Sequence, residues 1–337
     1  MNLKNTLMEL LSINAVSGSE ESAYNYLTNI LRDYTTSIET KNGNIIAHFG
    51  NRTADKPHVL VDAHIDQIGM ICTYIMEDGF IKFSNIGGLD LRIMLAQQVI
   101  IHGKEDVYGV ISSVPPHLSS GKSNEVKEIS ELYIDTGYKK EELEKKVSLG
   151  DKISFYSDAV ELLNDRIASK SLDNRSSVAS VLYMISLLGE ENIDCSFSVL
   201  FSSQEEIGER GAKIACFEIE PDFAIAVDVT FAKTADEDPY KCGNMDGGPM
   251  IGVSPSLSRE ISEKLINICK KQSIPYQIEV MNGLTGTNAD QFSISKCGVK
   301  TCTCSIPLKY MHTPVEVVSI KDIENTSKLL VEFLKEV

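Results

Sequence analysis

The chain has 337 residues, a formal net charge of -16, 42% apolar residues and 24% charged residues. This length fits one large domain or two ordinary ones, and the composition is typical of a globular protein. The acidic balance disfavours nucleic acid and anionic membranes as partners, because their phosphates need lysine and arginine for neutralisation. No apolar run in the sequence is long enough to span a bilayer.

The N-terminal region predicts two helices. Leucines recur at helical spacing over residues 1–11, interrupted by Lys4 and Glu9. This pattern favours an amphipathic helix over a signal peptide. Ser19 before Glu20 and Glu21 is typical of an N-cap followed by acids in the first turn, so a second helix is predicted after Ser19.

The eight cysteines are scattered along the chain and include no CxxC pair. Without an export signal, this usage predicts reduced, buried thiols in a cytoplasmic protein. Cys302 and Cys304 would share one face of a strand, where a soft-metal pair is an alternative interpretation.

The middle of the chain, residues 68–156, differs in pattern from the rest. Short alternating apolar segments separated by glycines predict a small all-β unit, and the polar stretch 119–131 predicts an exposed loop. Residues 139–146 predict a helix. From residue 172 onward, helix and strand patterns alternate, which favours an α/β sheet covered on both faces. The predicted fold is therefore α/β, a mixed central sheet flanked by helices, with a β-rich insertion.

Side chains that can bind a cation collect where the predicted strands end. They are His64 and Asp66 after the first strong strand, Asp173 at the head of a helix, the adjacent Glu205 and Glu206, Asp228 after 223–227, and His312 after 300–305. Ligands of open α/β sheets gather outside the carboxyl ends of the strands, so we expect these side chains to meet. Taken singly, Asp173 also fits a helix N-cap, and the glutamate pair also fits a solvated loop.

The number and kind of these donors favour a pair of metals. A single catalytic zinc takes about three protein ligands and keeps one position open, which the donor set exceeds. If one aspartate bridges, each of two metals has three protein ligands, and hydrolytic enzymes place such metals ~3.5–4 Å apart. Histidine with carboxylate suits zinc, cobalt or manganese better than magnesium or calcium. Of Glu205 and Glu206, one can bind metal while the other acts as a general base.

The sequence around these residues resembles the tetrahedral (TET) aminopeptidases, the family of glutamyl and deblocking aminopeptidases, some of which were long labelled endoglucanases. The similar blocks are AHIDQIG at 63–69, SLDNR at 171–175, SSQEEIG at 202–208, VDVT at 227–230 and YMHTP at 310–314, with further similarity at 86–88, 115–117 and 210–212. The resemblance covers nearly the whole chain, in order.

This resemblance implies a metal-dependent aminopeptidase acting on short peptides with two divalent metal ions per subunit. It assigns His64 and Asp228 to one metal, Glu206 and His312 to the other, and Asp173 to a bridging position. It makes Glu205 the general base, which takes a proton from the bridging water and passes it to the leaving amine. Asp66 is expected to accept a hydrogen bond from the other ring nitrogen of His64 and to fix its tautomer.

The resemblance also implies an organisation in domains and subunits. Residues 1–66 and 168–337 would form the catalytic domain, and residues 67–167 an inserted domain that makes dimer contacts. Members assemble as tetrahedral dodecamers with the active sites facing inward. Two positions depart from the family pattern, because Asn288 replaces a more usual aspartate in the block 286–290 and Gln67 replaces a common glutamate. Substrate preference and metal affinity are therefore open.

Two other functions compete with this interpretation. A glycoside hydrolase also uses paired carboxylates, but it needs no histidine-rich metal set and typically lines its groove with aromatic residues. The chain has no tryptophan and only 7% aromatic residues. A catalytically inert metal-binding scaffold would have no need of a base beside the ligands, so the presence of Glu205 argues against it.

Overall fold

The computed structural model describes residues 1–114, 125–189, 193–235, 238 and 240–337. The block at 115–117 and residues 119–124 of the predicted loop at 119–131 lie outside these residues. None of the helices within them has the length and apolarity needed to cross a membrane.

Strands and helices alternate along most of the chain. The strands are β1 Ile38–Lys41, β2 Asn44–Phe49, β3 His58–His64, β4 Gly69–Ile75, β5 Ile81–Ile86, β6 Gln98–His102, β7 Asp106–Ser112, β8 Tyr133–Asp135, β9 Lys152–Phe155, β10 Val160–Leu162, β11 Arg166–Ser169, β12 Ser196–Ser202, β13 Phe223–Phe231, β14 Met250–Val253, β15 Gln277–Val280, β16 Lys300–Lys309 and β17 Glu316–Ser319. The helices are α1 Leu3–Leu11, α2 Glu21–Leu31, α3 Lys140–Leu143, α4 Leu172–Leu188, α5 Arg210–Ile219, α6 Arg259–Gln272, α7 Ala289–Ser293 and α8 Ile320–Glu336.

A large mixed sheet forms the centre of the molecule. Its order is β1-β2-β12-β3-β13-β16-β17-β11-β10, and β14 and β15 extend it from β16. The central strands β12, β3, β13 and β16 run parallel to one another, so their carboxyl ends meet at one edge. They are buried over nearly their whole length, which explains their continuous apolar runs.

Helices cover both faces of this sheet. Successive side chains of a strand point to opposite faces, so a continuous apolar strand needs a core on each side. In β3, Val59 and Val61 belong to the core that contains α1, α4 and α8. Leu60, between them, belongs to the core on the side of α5 and α7. The fold is thus a mixed α/β fold, as the sequence predicts.

A closed barrel of order β4-β5-β8-β7-β6-β9 stands apart from the large sheet. Its interior is a separate apolar cluster that includes Met70, Phe83, Ile101 and Ile153. The strands that follow do not join it, because β10 pairs with β11 and β11 pairs with β17 in the large sheet. The stretch predicted as a helix at 139–146 is α-helical only over the single turn of α3.

Two local predictions, one at the start of a helix and one at the end of a strand, are wrong. Ser19 is not the N-cap of α2, because the helix begins after Glu20, whose side chain bonds elsewhere. The strand β13 does not end before Asp228 but runs to Phe231. It keeps pairing with β16 after its pairing with β3 stops at Ala226. Asp228 therefore lies within a strand, in the part that continues past the pairing with β3.

Candidate metal centre

The site forms around His64, the last residue of β3. Its Nε2 lies 3.1 Å from Oδ1 of Asp173 and 3.7 Å from Oδ1 of Asp228. Asp173 is at the start of α4, Asp228 is on the neighbouring strand β13, and all three side chains are buried. Their donor atoms are close enough together to hold one metal ion.

A second group of donors shares Asp173 with the first. Nε2 of His312 lies 3.3 Å from Oδ2 of Asp173 and 3.6 Å from Oε2 of Glu206. These three side chains could also hold a metal ion. The two oxygens of Asp173 therefore face different histidines, as the oxygens of a carboxylate that bridges two cations do.

Glu205 belongs to neither group of donors, although it lies beside them. Its Oε2 is 3.9 Å from Nε2 of His64, and its side chain is 12% exposed. It lines the same cavity as His64 and Asp228. A carboxylate in this position can reach a water in the cavity without being held by a cation.

Negative charge exceeds positive charge in this cluster. Burial raises the pKa of Glu205 to about 9, and the charge of Asp228 adds to that rise. Burial likewise raises the pKa of Glu206 well above its usual value. Burial opposes the charge on His64, but Glu205 and the other carboxylates outweigh it and raise the pKa of the imidazole. The neighbouring carboxylates contribute to all three shifts, and divalent cations would neutralise this anionic excess.

Asp66 fixes the loop that carries the two glutamates. Its carboxylate oxygens accept the main-chain N–H of Glu205 at 3.0 Å and that of Glu206 at 3.2 Å. Nδ1 of His64 lies 3.1 Å from the main-chain oxygen of Asp66 and 3.5 Å from its Oδ1. A proton on Nδ1 is held there, so Nε2 is the ring nitrogen that can bind a cation.

Sequence reasoning missed Glu316, which lies at the start of β17 and is fully buried. Its carboxylate accepts the main-chain N–H of Asp173 at 3.0 Å and that of His312 at 2.8 Å. It thereby ties together the two segments that meet in the second group of donors. The only local signal is an acid at the head of a short strand, four residues after His312.

Glu20 was also missed, because the sequence predicts an ordinary first-turn acid there. Its Oε1 accepts the N–H of Gly18 at 2.7 Å and that of Gln204 at 3.2 Å. Together with Asp66, it holds three successive N–H groups of the loop 204–206. The fully buried guanidinium of Arg175 has no hydrogen-bond acceptor among the described residues. Burial lowers its pKa to about 10, and the charges of Asp66 and Glu20 oppose that shift.

Two glycines allow the chain to pass close to the donors. A Cβ at Gly88 would lie 2.9 Å from Nδ1 of His312, and one at Gly87 would lie 3.2 Å from Oε2 of Glu206. Gly87 also has a φ of +73°, a conformation that side chains disfavour. The block at 86–88 is therefore part of the wall of the site.

The two departures from the family pattern lie outside both groups of donors. Nδ2 of Asn288 donates to Oδ2 of Asp62 and to Oγ of Ser202, at 2.8 Å each. Because burial raises the pKa of Asp62 to about 7, an aspartate at position 288 would bring a second carboxylate against one already desolvated. Gln67 accepts a hydrogen bond from Oγ of Ser171 at 2.9 Å.

The donors open into a cavity of about 560 Å³. Besides the donors and Glu205, its lining includes Thr230, Phe231, Glu279, Met281, Thr285, Gly286, Thr287, Thr303 and Ser305. Phe231 is the single aromatic residue among the described residues that line it. The volume is of the size that small ligands occupy in enzymes.

Two divalent cations fit the residues present. Imidazole nitrogens and carboxylate oxygens are the donors that zinc, cobalt and manganese accept. Oε1 of Glu206 is buried and has no hydrogen-bond partner among the described residues. Burying such an oxygen unpaired is costly, and a cation beside it would remove that cost.

Comparison with known proteins gives one consistent result. The family description "M42 glutamyl aminopeptidase" matches residues 43–329. The lysyl aminopeptidase of Pyrococcus furiosus is 32% identical over 337 residues, which cover 98% of this chain and 96% of the relative.

Solved structures agree over nearly the full length. An aminopeptidase from Desulfurococcus kamchatkensis superposes with a TM-score of 0.93 at 32% identity, covering 99% of this chain and 95% of the other. The TET1 peptidase of Pyrococcus horikoshii, which can assemble into a tetrahedron or a large octahedral shell, gives 0.88 at 28% identity and 100% coverage of both chains. A Thermotoga maritima protein described as an endoglucanase gives 0.80 at 27% identity, covering 98% and 96%.

Fold, donors and relatives together define a metal-dependent aminopeptidase, an enzyme that hydrolyses peptides. The chain belongs to the M42 glutamyl aminopeptidase family. The resemblance to the TET aminopeptidases is thereby confirmed.

Proposed function

We propose that the chain removes the N-terminal residue of short peptides with two divalent cations, zinc or cobalt, with manganese as a further possibility. One cation would be held by His64 and Asp228, the other by Glu206 and His312, and Asp173 would bridge them. The observation that carries this proposal is the orientation of Asp173, whose two oxygens face the two histidines at 3.1 and 3.3 Å.

The residues around the cations would divide the work of hydrolysis. When bound, the cations supply a Lewis acid for the scissile carbonyl and lower the pKa of the attacking water. Glu205, which is free of both groups of donors, would take the proton from that water and pass it to the leaving amine. Asp66 would keep Glu205 in place through its main-chain N–H.

Replacement of the base tests this division. Glu205→Gln keeps the volume of the side chain but cannot accept a proton, so kcat should fall about 10²–10⁴-fold. Metal content, measured on the purified protein, should stay at the native value. Glu263→Gln, an exposed change of the same kind in an ion pair with Arg259, is the matched control. Native turnover of aminoacyl p-nitroanilides by Glu205→Gln would disprove the assignment.

We further propose that the inserted domain, residues 67–167, makes dimer contacts and that dimers assemble into a tetrahedral dodecamer. The barrel has an apolar core of its own and also exposes Tyr108 and Tyr156, 60% and 42% exposed, on its outside. Exposed aromatic residues of this kind are typical of contact surfaces. Analytical ultracentrifugation should show a dodecamer, and Tyr108→Glu should reduce it to smaller species.

A cytoplasmic location is proposed from the cysteines. All eight are reduced thiols, and six of them are buried. Thiols are kept in this state in a reducing compartment. Secretion of the native chain into an oxidising compartment in active form would contradict this proposal.

The glycoside hydrolase and the inert scaffold are the alternatives to this function. The cavity offers a sugar ring only Phe231 as a stacking surface among the described residues. Chelation separates the three functions. Hydrolysis of aminoacyl p-nitroanilides that cobalt or zinc restores after chelation supports the peptidase, and cellulose oligomer hydrolysis that survives chelation supports the glycosidase. Metal binding without any hydrolysis supports the scaffold.

A further inference from the structure

Two charged side chains in the wall of the cavity, Glu209 and Glu279, have no part in the proposed metal chemistry. Glu279 lies on β15, which pairs with β14 at an edge of the large sheet. It belongs to neither group of metal donors. No described lysine or arginine forms an ion pair with it, and none lies among the described residues that line the cavity.

The strand β15 buries its polar residues and exposes its apolar ones. Gln277 and Glu279 are partly buried, whereas Ile278 and Val280 are 51% and 80% exposed. Successive side chains of a strand point to opposite faces, so one face of β15 turns Glu279 into the cavity. Desolvating a carboxylate while leaving isoleucine and valine in water is costly unless the carboxylate meets a partner.

Two hydroxyl groups orient the carboxylate of Glu279. Oγ1 of Thr230 donates to its Oε1, and the side chain of Ser305 donates to it as well. Both donors favour the charged form, whereas burial raises the pKa of Glu279. Two hydroxyl groups compensate only part of the negative charge of Glu279, so a cation beside the carboxylate would be stabilised.

Apolar side chains lie beside this carboxylate in the same cavity wall. Met281 follows β15, and Phe231 ends β13. Such surfaces suit the methylene stem of a long cationic side chain, whose charged end then meets the carboxylate. An acidic side chain would find no positive protein group in the described lining, and it would be repelled by Glu279.

We infer that Glu279 selects peptides whose N-terminal residue is lysine or arginine, by pairing with the cationic end of that side chain. This inference rests on the proposed aminopeptidase function. It assigns Glu279 to substrate specificity and leaves the hydrolytic step to the metal donors and Glu205.

The test compares kcat/KM for the p-nitroanilides of lysine, arginine, norleucine and glutamate, with the full-length, metal-loaded protein. Norleucine has the stem of lysine without its charge, so it isolates the contribution of the ammonium group. The native protein should prefer lysine and arginine over norleucine, and glutamate should be the poorest substrate. Glu279→Gln should lower kcat/KM for lysine and arginine about 10- to 100-fold and leave norleucine within about threefold. Glu263→Gln, an exposed acid-to-amide change, should leave all four values unaltered.

Several outcomes would overturn the inference. Equal losses on all four substrates would mean that Glu279 binds the α-ammonium group or supports the fold. An unchanged preference in Glu279→Gln would mean that the charge is recognised elsewhere. If the native protein cleaves norleucine anilide in a chelator-sensitive way without preferring lysine, the specificity inference alone fails. If it cleaves none of the four with any metal, the proposed function fails, and the inference fails with it.

Should Glu279→Gln fold poorly, the native protein still decides the question. Free lysine and free norleucine then serve as competitive inhibitors of norleucine anilide hydrolysis. The inhibition constant of lysine should be about 10-fold or more below that of norleucine. Equal inhibition constants would contradict the inference.

Discussion

Removing the acceptor that Glu316 provides should loosen the second group of donors without touching a donor itself. In Glu316→Gln one oxygen remains, so one of the two N–H groups, from Asp173 or His312, loses its partner and faces an amide N–H. A hydrogen bond to a charged group contributes roughly 1.5–3 kcal/mol, and an unpaired buried donor adds to that cost. Burial and the charge of Asp173 raise the pKa of Glu316 well above its usual value, and bound cations would offset the charge of Asp173. We therefore expect the free energy of unfolding of the metal-loaded protein to fall by about 2–4 kcal/mol.

Metal affinity provides the second measurement. Groups that orient metal ligands typically change affinity about 10- to 100-fold when they are removed, so calorimetric titration with manganese or cobalt should show a loss of that size. If the N–H of His312 loses its partner, one of two binding events should weaken, because His312 belongs to one group of donors only. If the N–H of Asp173 loses its partner, both events should weaken, because the two groups share Asp173.

The matched control for this prediction is Glu324→Gln on α8, where the acid forms a partly exposed i,i+4 pair with Lys328. Such pairs contribute about 0.3–0.5 kcal/mol, so the free energy of unfolding measured in urea should change by no more than that. If Glu316→Gln also stayed within about 0.5 kcal/mol of the native protein, with affinities within about twofold, the anchoring function would be refuted.

Three further predictions follow from the same geometry. Glu20→Ala removes the acceptor for the N–H of Gln204, so steady-state kinetics should show kcat roughly 10- to 100-fold lower at nearly unchanged KM. An unaltered kcat would mean that Asp66 holds the loop alone. Gly88→Ala places a Cβ against His312 and should lower the affinity for one of two cations in a metal titration. An equal loss of affinity for both would contradict the assignment of His312 to one group of donors. Burial raises the pKa of Asp62 to about 7, so between about pH 4 and 7 the folded chain binds more protons than the unfolded chain, and stability of the metal-free protein should fall as pH rises through that window. Asp62→Asn should flatten that dependence in urea unfolding at several pH values, and an unchanged slope would mean that another group is responsible.

Much of the fold was predictable because the relevant information is local. The continuous apolar run before His64 predicts a buried parallel strand, and the alternation between residues 68 and 156 predicts the strands of the barrel. The strands β14 and β17, each four residues long, were missed. The end of β13 was misplaced for a different reason, since its last residues are held by pairing with β16 and not by their own pattern.

The amino-acid sequence alone indicates which side chains come to the carboxyl edge of the sheet, because an apolar run meets a charged residue at or near the end of a strand. In β13 the strand continues three residues past Asp228. On that ground it predicts that His64, Asp173 and Asp228 belong to one site. How these side chains face one another depends on the tertiary structure, since the order of strands in a sheet is set by pairing between distant segments. Glu316 and Glu279 show the same limit. Each is an ordinary acid in its own segment, and each acquires a function only from side chains that lie far away along the chain.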